Sequence, residues 1–171
     1  MYHEYPIEQL ARNTNTRFQI GFARMTMHLL PQFEEAVLEP SDHGLKILAT
    51  NEAALARPGE VIRQIHAEDV QLEEPQVRLL YGESVQEPVM RVRAAAARTY
   101  TEAVIHDLLT RGAEIEEVDW MAPLPVVHAK APLRLLLGYP HALPALSQNT
   151  AELHMRLSHY APVPPDPAQA A

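Results

Sequence analysis

The clearest alternation of apolar and polar positions lies in the second half of the chain. In EPVMRVRA, Met90, Val92 and Ala94 alternate with Val89, Arg91 and Arg93, which predicts a strand with one charged face. Tyr100, Val104 and Leu108 then recur at helical spacing, Ile105 and Leu109 widen the stripe, and Gly112 supplies a stop, so a helix follows. AEIEEVDWM and PVVHAKAPL read as two strands around a turn near 122–125. PLRLLLGYPHALPALSQ reads as an apolar helix that Pro140 and Pro144 shorten or kink. In TAELHMRLSHY, Leu153, Met155 and Leu157 alternate with Glu152, His154 and Arg156, a last strand with one wet face. The order β-α-β-β-α-β is that of a ferredoxin-like split βαβ unit.

The polar stretch GESVQEP places a boundary near Glu83 to Pro88. Residues 1–86 carry 7 basic and 13 acidic side chains, and residues 87–171 carry 7 and 9, so the halves differ in charge. The closing APVPPDPAQAA holds four of the 15 prolines without apolar periodicity and predicts an extended tail over 164–171. Apolar residues make up 47% of the 171 but aromatics only 6%, so the core is aliphatic. The net charge of −8 opposes general polyanion binding and leaves room only for a local basic patch. The absence of Cys excludes disulfides, thiolate metal sites and a Cys nucleophile. No apolar run approaches ~20 residues, and the start lacks a signal-peptide layout, so a soluble cytoplasmic protein is expected.

The run from EPVM through a helix ending in RG, then HAKAPLRLLLGYPHALPALSQ and a strand closing in SHYAPVP, resembles the C-terminal fifth domain of elongation factor G. That family typically reads LEPIM-V, RRRG, AEVPL--MFGYAT-LRS-T-GR and F-HYE-VP. Glu87, Pro88, Met90, Arg111, Gly112, Pro132, Leu133, Gly138, Tyr139, Leu143, Ser147, His159, Tyr160 and Pro164 fall at or near its positions. Upstream, RNTNTRFQIG has the spacing of the fourth domain's RQTGGRGQFG, retaining Arg12, Thr14, Arg17, Gln19 and Gly21. FARMTMHLLP follows as that domain's strand, and PGEVIRQIH resembles its PGEYIPAV helix.

The resemblance implies an α+β chain of two small sandwiches: a reduced ribosomal protein S5-like domain over 1–86, with strands near 17–30 and 76–82 and a helix near 58–67, then the ferredoxin-like domain over 87–163. A competing alignment reads 45–84 as the family's third domain, on LKILATNE and EEPQVRLLYGE. The chain departs from the family pattern where Asn15 and Thr16 replace paired glycines, Phe18 replaces another, and Pro144, Asn149 and Thr150 stand at basic or Gly-Arg positions.

No GxxxxGK[ST] loop is present, and with six Gly there is no substitute cradle for a nucleotide, so no cofactor is expected. The nine His include no HExxH pair, so no metal is expected either. Adjacent pairs such as Glu34 with Glu35, Glu73 with Glu74 and Glu116 with Glu117 point to opposite faces in a strand, which disfavours a shared acid/base site. No GxSxG surrounds a serine, and no catalytic residue is assigned. The RNA-contact candidates are Arg12, Arg17, Gln19 and Arg111. Two readings result: a non-catalytic protein that binds the ribosome near the elongation-factor site and modulates elongation, or a decayed translation-factor scaffold serving as a protein-interaction module.

Overall fold

The computed structural model describes residues 3–165. Residues 166–171, most of the expected tail, lie outside the described residues. The chain divides into two units, 1–77 and 78–171.

In the first unit, β1 (Ile7–Asn13), α1 (Gln19–Leu29), β2 (Ala36–Ser41), β3 (Gly44–Ala49), α2 (Ala56–His66) and β4 (Val70–Leu72) follow in that order. The sheet order is β2-β3-β1-β4, every pairing antiparallel, and β5 (Gln76–Val77) also pairs β1. The strand expected over 17–30 is therefore corrected: most of this segment is helix. Its buried positions Gln19, Phe22, Ala23 and Thr26 are spaced i, i+3, i+4 and i+7, which places them on one helical stripe against β2 and β3. With that helix in place the first unit is itself a split βαβ, rather than the S5-like arrangement expected of it. Residues 17–30 have no strand partner, as the third-domain alignment requires, although β3 pairs β1 and β2 and not residues 76–82. The helix expected near 58–67 is α2, where Pro58 and Gly59 are buried within the first turn and the missing proline N–H has no helical acceptor to lose. Ile7, Leu45, Ile47 and Ile62 are fully buried in this core.

The second unit runs β6 (Leu80–Tyr81), β7 (Val85–Ala95), α3 (Arg98–Thr110), β8 (Glu114–Asp119), β9 (Val126–Pro132), α4 (Leu133–Leu136), α5 (Tyr139–Ser147) and β10 (Glu152–Pro162). Its antiparallel sheet has the order β10-β7-β9-β8, the split βαβ expected of it. The division falls ahead of the 83–88 stretch because β6 pairs β7 while β5 pairs β1, so the single strand expected over 76–82 is shared between two sheets. Met90, Val92 and Ala94 point inward, fully buried, with Val104, Leu108, Leu133 and Leu136 in the helical layer. The stripe of α3 runs through Thr101, Val104 and Leu108, and Leu109 is exposed. The helix expected over 133–147 is broken at Leu137, whose ψ is 131°, and Gly138, whose φ is 81°. Gly138 takes the left-handed conformation at little cost, and Pro140 then sits in the first turn of α5.

Candidate nucleic-acid interface

Three of the four candidate residues converge in the first unit. Arg12 lies near the end of β1, Gln19 opens α1, and Arg17 lies on the loop between them. That loop is built from local side-chain hydrogen bonds. The Asn15 amide N–H donates to Asn13 Oδ1 at 2.8 Å, and the Phe18 N–H donates to Thr16 Oγ1 at 3.1 Å. It is also anchored to the turn after α2: the Thr14 N–H donates to the Asp69 carbonyl at 2.9 Å, and the Asn15 side-chain amide donates to the Asp69 carboxylate.

Gln19 is the clip of this loop. Its Oε1 accepts from the Asn13 N–H at 3.0 Å, and its Nε2 donates to the carbonyls of Asn13 at 2.8 Å and Thr16 at 2.7 Å. The side chain is buried and both amide hydrogens are used, so Gln19 shapes the loop and has none left to offer a ligand.

Arg12 Nη1 lies 3.3 Å from Glu73 Oε1 in a solvent-exposed pair. Such pairs contribute about 0–1 kcal/mol, so exchanging the carboxylate for a phosphate is energetically open. Arg17 is exposed and forms no ion pair among the described residues. Beside it Phe18 is 69% exposed. A Cβ on Gly21 would lie 2.3 Å from that ring, so the glycine leaves room for the aromatic where it stands. Phe18 is the residue the sequence reading missed. Its exposed neighbours in RNTNTRF were a signal, because a large aromatic in a polar loop has no local core to enter.

Arg111 belongs to the second unit and is committed there. Its Nε donates to Asp107 Oδ2 at 2.8 Å, and its guanidinium lies 5.2 Å from the ring centroid of Tyr139. Burial pushes the Tyr139 phenol well above its ordinary value, Asp107 adds to that, and Arg111 opposes it. Arg111 thus covers a buried phenol and caps α3.

Exposed Arg and Phe on a pinned loop suit contacts to phosphate and to an unstacked base. Among the described residues no group of three His, Cys, Asp or Glu is arranged to hold a metal ion. No helix among the described residues is long and apolar enough to cross a membrane.

A crystal structure of a Thermus thermophilus protein shares this fold, with a TM-score of 0.69 and 17% identity over 96% of this chain and 42% of that one. The chain thus spans less than half the length of that protein. The sequence model of the elongation factor G C-terminus family matches residues 84–171, which comprise β7 through β10 and the end of the chain. The chain belongs to that family.

Proposed function

We propose that this chain is a non-catalytic, cytoplasmic, translation-factor-like protein that binds the ribosome near the elongation-factor site and modulates elongation, without nucleotide, cofactor or membrane. The observation that carries the reading is the loop between β1 and α1, where Arg17 and Phe18 stand exposed on a frame clipped by Gln19. An isolated loop arginine is ordinarily a solvated surface group. A loop whose backbone is already held in place loses less freedom on meeting RNA than a loose one. Family membership supplies the translational context, and Arg12 adds a second cation. Gln19 and Arg111 support the architecture instead of touching RNA.

The second reading, a scaffold turned protein-interaction module, is favoured by the commitment of Arg111 to Asp107 and by the net charge of −8. Chemical footprinting of ribosomal RNA with and without the protein separates the two. Protection at the elongation-factor site, lost with Arg17→Ala, is the expected result. An unchanged footprint would leave the protein-interaction reading in its place.

A further inference from the structure

We infer that the outer face of the second sheet is a binding site for the phosphodiester backbone of a folded RNA, centred on Arg91, Arg93 and Arg156. The register of β7 against β10 sets Arg91 directly opposite Arg156 and Arg93 opposite His154. On the other side of β7, Arg91 faces Lys130 and Arg93 faces His128. Cross-strand partners share a face about 5 Å apart, and Arg91 and Arg93 are separated by about 7 Å along the strand. All three arginines are exposed and, among the described residues, none forms an ion pair.

Like charges directly across a sheet are destabilising. Here the cost is incurred in a chain whose net charge is −8, with acidic residues available to neutralise the pair. The adjoining edge shows the contrast: on β8, Glu116 lies 3.8 Å from Lys130, and Glu114 and Glu117 flank it. The acidic edge lies against β9; on β10 Glu152 shares the face of His154 and Arg156, four residues from Arg156, and no acidic residue stands opposite Arg91, Arg93 or Arg156 in the β7–β10 register. An anionic ligand is therefore directed along β7 and β10, away from β8.

The ligand must carry closely and regularly spaced anions, since three guanidinium groups sit within two residue steps of one another. A nucleic-acid backbone meets that need, and guanidinium matches phosphate through paired N–H donors. The rows holding these arginines contain no Phe, Tyr or Trp. Their only rings are the imidazoles of His154 and His128, both beside Arg93, so the Arg91–Arg156 row offers charge without a stacking surface, and a double-helical segment read by its backbone fits it better than a single strand.

The test uses the full chain and a labelled RNA hairpin, with binding followed by anisotropy over a salt series. Replacing Arg91→Ala together with Arg156→Ala is expected to weaken binding by about tenfold or more and to reduce the slope of log affinity on log salt by about 2. The urea midpoint of that variant should be unchanged or higher, because a repulsive pair is removed. Arg91→Lys with Arg156→Lys should retain most of the salt slope. No hairpin binding by the parent protein, or equal affinity in the alanine variant, overturns the inference. Competition by poly-glutamate as effective as by unlabelled hairpin, charge for charge, also overturns it and assigns the face to an acidic protein. The inference goes beyond the ribosome reading and is separable from it: hairpin binding depends on Arg91 and Arg156, whereas the ribosome footprint depends on Arg17.

Discussion

The carboxylate of Glu87, only 3% exposed, accepts a 2.8 Å hydrogen bond from Nε of Arg134, which joins β7 to α4. Removing the arginine strands a buried charge, whereas the exposed side of the guanidinium allows some water to enter in its place. Arg134→Ala should therefore destabilise the protein by about 1–3 kcal/mol, and Arg134→Lys by less. Urea unfolding measures both. An unchanged midpoint in Arg134→Ala would mean that the pair contributes nothing net.

Gln19→Ala should open the β1–α1 loop. It leaves the Asn13 amide and the carbonyls of Asn13 and Thr16 without their side-chain partner, at a cost of about 1–3 kcal/mol. The loop should then be cleaved faster by protease than in the parent. Equal cleavage rates would show that the backbone alone holds its shape.

Tyr139 has a fully buried hydroxyl with no hydrogen-bond partner among the described residues. Tyr139→Phe keeps the ring beneath Arg111 and removes the desolvated group, so stability should be unchanged or rise by up to about 1 kcal/mol. Thermal unfolding decides this. A loss of stability would place an ordered water on that oxygen.

His66 packs edge-on against Phe22, with ring centroids 5.0 Å apart, and shares a 2.8 Å hydrogen bond with Thr26 Oγ1. Burial lowers its pKa from the ordinary 6.5, with Asp69 opposing. Near and below that value the unfolded chain binds more protons at this site than the folded one, so the stability it confers is present at higher pH and is lost as pH falls. A folded-state NMR titration should place the midpoint below 6.5, and His66→Phe should flatten the decline in stability on acidification. A midpoint above that value would reverse the sign.

The second unit was legible because the central run of β7 alternates cleanly, even though β8 and β10 each carry a register shift. Met90, Val92 and Ala94 are buried between the exposed Arg91 and Arg93, and the turn near 122–125 joins β8 to β9 as expected. The first unit was misread over 17–30, although its buried residues keep helical spacing. Met25 and Leu29, 57% and 59% exposed, blur that stripe, and the family spacing of RNTNTRFQIG favoured a strand. What the candidate residues do depends on neighbours distant in sequence. Asp69 anchors the loop that Gln19 clips, Tyr139 lies beneath Arg111, and only the pairing of β7 with β10 brings Arg91 beside Arg156. Local periodicity reports which side of an element is wet, not which wet sides adjoin.

Ribosome association is the central claim, and co-sedimentation with ribosomal particles at low and moderate salt tests it most directly. The parent protein should sediment with ribosomes at low salt and be released as salt rises, because a chain of net charge −8 must concentrate its RNA contacts in a few local cations. Arg12→Ala with Arg17→Ala should weaken sedimentation by about 1–3 kcal/mol if both make charge-assisted phosphate bonds. No sedimentation at low salt, or equal sedimentation by the double variant, would contradict the account.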